Sequence, residues 1–310
     1  MTATVSDRLR TALTGVSAVV IAPYRDGHVS ADLTERIVER IDAAGIHAIT
    51  ALGNTAEVFQ LSAAERRTHV AAVGAAAAHA VRIAGVSGAA VSVLEDTETA
   101  RGLGHDAVML HEPADPFGDA AGLLAYYRAI ADRAALPLVL YLRSARLGVS
   151  ELAELSAHPA VAGVKFALPE LSVLDELRTR TAAATGTDAE CVWINGAAEG
   201  RAPAMLERGI TGFTSGIANA RPDLALAMHR ALVAGDRVAV ARLNALLAPV
   251  EDIRAAQNAR FNVAVLKQLL RGAGIEAGPV RAPHSALTAS AETALTAAVA
   301  RWPEATPIRG

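Results

Sequence analysis

The chain is short of cysteine, of lysine and of aromatic residues. Its one cysteine, Cys191, cannot form an intramolecular disulfide and supplies no CxxC pair for a metal, so a small buried hydrophobe is expected there. Aromatic residues make up 4% of the 310 residues, which leaves the core to alanine and aliphatic side chains and fits many packed helices. Runs of like charge and basic patches are absent, and the net charge is −3, so neither nucleic acid nor a charged membrane surface is suggested as a partner. No apolar run reaches the length of a bilayer span. The stretch MTATVSDRLRTALTG lacks a positive-then-apolar signal pattern. A soluble, cytoplasmic protein is expected. GxGxxG, P-loop, GxSxG and HExxH motifs are missing as well.

What is present is an alternation. Short β-rich apolar runs at 16–23, 46–53, 81–87, 106–113, 136–143, 161–168, 190–196 and 210–216 read as eight strands. Helical patterns at 31–45, 62–79, 92–104, 118–135, 148–159, 171–185 and 200–209 separate them, with a capping box at Ser62 and Glu65. Helices then follow at roughly 221–235, 236–272 with a break, and 285–301. Near-continuous apolar strands separated by helices are parallel strands buried on both faces. Eight such units in about 230 residues fit a (β/α)8 TIM barrel. The expected organisation is a barrel over 1–220 and a C-terminal helical extension over 221–310, packed on the barrel. An open doubly wound sheet is the alternative, although its usual glycine turn is missing from APYRDG.

In such a barrel the chemistry sits at the C-terminal ends of strands. The polar residues there are Asn54 and Thr55, His111 and Glu112, Tyr141 with Arg143, Ser144 and Arg146, Lys165, Asn195 with Gly196, and Ser215 with Gly216. Lys165 stands out because the chain has only two lysines, the other being Lys267, and uses arginine for every other cation. A strand lysine is ordinarily an ion-pair partner or a snorkelling side chain. Arginine serves a buried ion pair better, yet it cannot lose its proton or form an imine, and a desolvated lysine can do both. Lys165 beside a tyrosine on the neighbouring strand therefore suggests carbonyl chemistry through an imine. Tyr141 as a core tyrosine, Arg146 as a surface cation and His111 as a loop-stabilising residue are the bland alternatives.

On these residues the sequence resembles the dihydrodipicolinate synthase/N-acetylneuraminate lyase family of class I aldolases. The resemblance runs through VIAPYRDGHVSADLTERIVERIDAAGIHAITALGNTAEVFQLSAAER (20–66), LVLYLRSARLG (138–148), AVAGVKFA (160–167), GITGFTSGIANARPD (209–223) and VLKQLLRGAGIEAGPVRAP (265–283). It implies a (β/α)8 barrel with a helical extension, usually tetrameric, and a lysine that forms an imine with pyruvate or another 2-keto acid. Lys165 stands at that position and Tyr141 at that of the proton-shuttling tyrosine. Asn54 and Thr55 match the GTTGE-type loop that holds the substrate carboxylate and aids proton relay. Arg146 falls where the synthase branch places an arginine for its aldehyde's carboxylate, and Gly196 and Ser215 fall near positions lining the keto-acid pocket. Either Arg143 or Arg146 is a candidate for a second anionic or hydroxylated end of the substrate. No cofactor and no metal are implied.

Two departures bear on the branch. GNTAE replaces GTTGE, and HEPADPF carries no tyrosine where the lysine-biosynthesis enzymes have one that reaches a neighbouring subunit. The Tyr141-x-Arg143 pattern is closer to branches that dehydrate or cleave 2-keto-3-deoxy sugar acids. The leading expectation is a Schiff-base lyase of that kind. The alternatives are dihydrodipicolinate synthase proper and a non-catalytic 2-keto acid-binding homologue. An unrelated phosphate-binding barrel would need a glycine-rich turn after its last strands, for which GAAEG (196–200) and SGIAN (215–219) are weak candidates.

Overall fold

A computed structural model of the chain describes residues 3–185 and 191–305. The first residue of the strand expected at 190–196, and the ends of the two expected domains, lie outside them. The barrel strands are β1 (Val16–Val19), β2 (Ala48–Ala51), β3 (Val81–Val86), β4 (Ala107–Leu110), β5 (Leu138–Leu142), β6 (Val161–Phe166), β7 (Val192–Asn195) and β8 (Phe213–Ser215). Each pairs in parallel with the next, and β1 closes the ring against both β2 and β8. The chain is a (β/α)8 TIM barrel with C-terminal helices. Every barrel strand is buried over nearly its full length, which explains the absence of in-out polar alternation in the sequence.

The helices are α1 (Asp7–Leu13), α2 (Ala31–Ala43), α3 (Ala63–Ala76), α4 (Ala90–Gly102), α5 (Ala120–Ala131), α6 (Val149–Ser156), α7 (Leu171–Thr185), α8 (Ala202–Leu206), α9 (Pro222–Val233), α10 (Arg237–Ala259), α11 (Asn262–Gly272) and α12 (Ala289–Val299). The short α1, capped by Ser6, was not expected from the sequence. Its Leu9, Ala12 and Leu13 share one buried cluster with Ala48, Ala107 and Ala162 and plug one end of the barrel interior. The small residues on the strands leave room for the plug. A second core lies between the strands and the outer helices. After β1 the chain makes a tight hairpin, residues 24–25 against 28–29, whose two turn residues Asp26 and Gly27 have φ of 50° and 79°. That is the type I′ geometry for which Asp-Gly is suited.

The break expected in 236–272 falls at the end of α10. Ala256 leaves the helical region, and Gln257, Asn258 and Ala259 follow in the left-handed region at φ 51°, 60° and 59°. Three consecutive non-glycine residues there cost on the order of 1–2 kcal/mol each. The excursion turns the chain so that α11 starts beside the mouth of the barrel.

Candidate active site

At the C-terminal end of the strands lies a cavity of about 300 Å³. Asn54, Thr55, Tyr141, Lys165, Gly196 and Thr214 line it from the strand side, and Glu251, Arg254 and Asn262 from α10 and α11. A larger groove of about 1030 Å³ runs between α2, α9 and α10, but no strand residue reaches it. The chemistry-bearing groups are in the smaller cavity.

Tyr141 and Lys165 are direct partners in the β5–β6 register. Leu140 and Leu142 on β5, and Val164 and Phe166 on β6, point out into the helical layer, so the alternating residues Tyr141 and Lys165 point in. Lys165 is 4% exposed. Its Nζ lies 3.9 Å from the centroid of the Tyr141 ring and 3.9 Å from Met109 Sδ. No carboxylate pairs with it among the described residues. Burial, and then the charge of Arg143, lower its pKa to about 7. An amine that is half neutral near pH 7 is a competent nucleophile toward a carbonyl. Gly196 makes the room, because a Cβ there would lie 3.0 Å from Lys165 Cγ and 2.9 Å from the carbonyl oxygen of Phe166.

Tyr141 is also buried, and burial raises its pKa, so the phenol keeps its proton. Asn54 Nδ2–H donates to its oxygen at 3.3 Å, which leaves the phenol O–H free to serve another acceptor. Asn54 begins a short 3₁₀ turn, 54–56, that ends at Glu57 in the left-handed region, φ 56°. Gly53 allows that turn to cross β1, since a Cβ there would sit 2.2 Å from Val19 Cγ1. Thr55 Oγ1–H donates to the Val19 carbonyl at 3.2 Å, and Asn54 Oδ1 is buried without a partner among the described residues. His111, behind Tyr141, is held by the Leu52 carbonyl at 2.9 Å. Its burial pulls the pKa to about 4 and keeps the ring neutral.

The remaining sequence candidates separate. Arg143 is exposed at the rim and lines the cavity. Arg146 does not line it. Its guanidinium reaches Glu112 at 3.3 Å and the carbonyls of Pro113, Asp115 and Gly118 at 3.1, 2.8 and 2.9 Å, fastening the loop between β4 and α5. Ser215 faces away from the cavity, with Oγ–H donating to Glu199 at 2.5 Å and Oγ accepting from Ala218 N–H at 3.0 Å. Thr214 and Gly216 line the cavity in its place, as the two-residue period of a strand requires. Sequence reading placed Gly216 at the strand end but missed Thr214, and it missed Glu251, Arg254 and Asn262. The only signal for those three was the expected break before α11.

The second lysine holds the site's frame. Lys267 Nζ pairs with Glu57 at 2.9 Å, donates to the Pro279 carbonyl at 2.8 Å, and sits 3.9 Å from the centroid of the Tyr24 ring. Arg281 N–H donates to the other Glu57 oxygen at 2.7 Å. The C-terminal extension is thereby tied to the turn that carries Asn54 and Thr55.

A closed parallel barrel with an uncompensated lysine and a tyrosine at its mouth defines a class: the Schiff-base-forming (β/α)8 lyases. The comparisons agree. The sequence model of the dihydrodipicolinate synthetase family matches residues 12–301. A 4-hydroxy-tetrahydrodipicolinate synthase of Exiguobacterium is 30% identical, with 94% of this chain and 98% of the relative covered. A probable 5-dehydro-4-deoxyglucarate dehydratase of Xanthobacter autotrophicus is 31% identical, with 90% and 92% covered. The crystal structure of dihydrodipicolinate synthase from Bacillus clausii superimposes with a TM-score of 0.89 at 31% identity, with 95% and 99% covered. The chain belongs to the dihydrodipicolinate synthetase family and is a lyase of the class I aldolase type.

Proposed function

We propose that Lys165 is the imine-forming residue of an enzyme that cleaves or dehydrates a 2-keto-3-deoxy sugar acid. The observation that carries this reading is a buried lysine with no paired carboxylate among the described residues, in register with a buried tyrosine. Neutral Lys165 attacks the C2 carbonyl, water leaves, and a protonated imine forms. Its positive charge draws electrons from C3. Loss of a C3 proton gives an enamine, and the C4 hydroxyl then leaves as water; cleavage of the C3–C4 bond gives the aldol products instead. Tyr141 transfers the proton in either case. Asn54 and Thr55 hold the C1 carboxylate, Gly196 leaves space for the lysine stem, and Arg143 is the nearer of the two arginine candidates for the substrate's other end. Arg146 and Ser215 then act on the loops around the site.

The loop from His111 to Asp119 contains no tyrosine, which supports the sugar-acid branch over dihydrodipicolinate synthase proper. A non-catalytic homologue has no use for Lys165, Tyr141 and Thr55 together. No helix among the described residues is long and apolar enough to cross a membrane. A homo-oligomer in the cytoplasm is part of the proposal. Phe117, 93% exposed on that same loop, supports contact with a neighbouring subunit. The test is a substrate panel: 2-keto-3-deoxy sugar acids on one side, pyruvate plus aspartate semialdehyde on the other. Water loss or pyruvate release from a sugar acid is expected. Turnover confined to the second pair would overturn the branch assignment.

A further inference from the structure

The cavity wall that the strands do not supply comes from α10 and α11, and its one cation is Arg254. The side chain is buried. Nη1–H donates to Glu251 Oε1 at 2.6 Å, while Nε–H and Nη2–H donate to Asn262 Oδ1 at 3.1 and 2.7 Å. A guanidinium has five N–H donors. Three are engaged here, and the two that remain are one on each terminal nitrogen. Gly216 is what lets the group lie against the cavity, since a Cβ there would stand 2.8 Å from Nη2. Asn262 meets a residue eight positions upstream only because Gln257, Asn258 and Ala259 reverse the chain. The strain of that segment thus has a local result: a guanidinium fixed on two sides, with paired donors left over.

Such a group on a cavity wall is suited to a carboxylate, which accepts paired N–H donors. Charge points the same way. Arg143 and Arg254 are cations and Glu251 an anion among the cavity's lining residues, and an imine at Lys165 adds a positive charge. Glu199, behind the wall, has no exposed surface; burial and then Glu251 push its carboxyl up to about 7, toward the neutral form. Counting the lining groups alone, two arginines and the imine against Glu251, the occupied site carries two positive charges in excess. A keto acid with a second carboxylate balances them, and one with a single carboxylate leaves one over.

We propose that Arg254 is the specificity-determining residue, taking the second carboxylate of a 2-keto-3-deoxy diacid, the kind of substrate named for the Xanthobacter dehydratase. The inference rests on the Schiff-base reading above. Its test compares kcat/KM for a 2-keto-3-deoxy aldaric acid and the aldonic acid of the same chain, in which a primary alcohol replaces the second carboxylate. Wild type is expected to prefer the diacid. Arg254→Gln is expected to lose roughly 10- to 100-fold on the diacid, mostly through KM, with about tenfold less loss on the monoacid. Arg254→Lys should recover part of the preference by restoring the charge without the fork. Gly216→Ala, which presses a methyl group on Nη2 while keeping the arginine, supplies the same comparison if the Arg254 variants fail to give a cooperative melt. Equal losses on the two acids, an unchanged ratio, or a wild-type preference for the monoacid would overturn the inference. Failure of wild type to form a borohydride-stable adduct with pyruvate and with both of these acids would instead overturn the Schiff-base reading beneath it.

Discussion

The chain's two lysines are both buried, and their surroundings are opposite. Lys267 has a carboxylate at 2.9 Å, a carbonyl at 2.8 Å and an aromatic face, and the segment that supplies its carbonyl also binds the same carboxylate. Lys165 has an aromatic face, a thioether and no carboxylate among the described residues. Burial is the leading cause in both cases and lowers the pKa to about 8 and about 7, respectively, although Glu57 opposes the shift only at Lys267. Burial alone therefore does not identify a reactive lysine. What distinguishes Lys165 is that no carboxylate among the described residues compensates its charge at the floor of a cavity, an arrangement that costs stability and supports the proposed chemistry.

The largest expected effect is an exchange of roles between the two sites. Lys165→Met should abolish turnover, a loss of at least about 10³- to 10⁴-fold, without lowering the melting temperature. Lys267→Met should retain imine chemistry and destabilise the fold by about 3–5 kcal/mol, because Glu57 is left buried and unpaired. The double variant Glu57→Gln/Lys267→Met should regain part of that loss. Loss of fold stability on removing Lys165, equal to that on removing Lys267, would erase the distinction.

Next in size is Tyr141→Phe, which should lower kcat by roughly 10²- to 10³-fold with little change in melting temperature. A fall in stability with unchanged kcat would return Tyr141 to the core.

pH sharpens the comparison further. Attack requires neutral Lys165, so adduct formation should rise through pH about 7 and level off above it. The sign for stability follows from the same shift. A lysine whose folded pKa lies near 7 against 10.5 unfolded binds fewer protons in the folded state between those values, so stability rises with pH across that window. The stabilisation gained by Lys165→Met should therefore be greatest below pH about 7 and fade toward 10.5. Thermal melts at several pH values check this.

The smallest contrast is between the two arginines after β5. Arg143→Ala should raise KM by about tenfold and leave the melting temperature alone. Arg146→Ala should free the loop between β4 and α5 and cost about 1–3 kcal/mol, since its partners are one carboxylate and three carbonyls.

Much of this was legible in the sequence, for identifiable reasons. Eight apolar runs separated by helical patterns pointed to a barrel because parallel strands buried on both faces, in that number, fit a closed ring, and the glycine turn usual in an open doubly wound sheet was missing. Lys165 was legible because a chain that otherwise prefers arginine kept a lysine in an apolar strand. Ser215 was placed one residue off the cavity-facing position, since a strand's two faces exchange at every residue and the end of β8 gives no polar alternation to set the phase. Arg146 could not be told from Arg143 by spacing, because their separation depends on the path of the loop after β5. Arg254 was hidden in a helix where an arginine reads as surface charge, and the reversal that brings Asn262 to it is made by Gln, Asn and Ala rather than by glycine. Helix α1 is too short for its period to register.

The account stands on which lysine reacts. The most direct measurement incubates the enzyme with pyruvate and borohydride, weighs the intact protein and maps the modified peptide. The account predicts one adduct per chain, on Lys165, and its disappearance in Lys165→Met. An adduct on Lys267, or one that persists when Lys165 is gone, would contradict it.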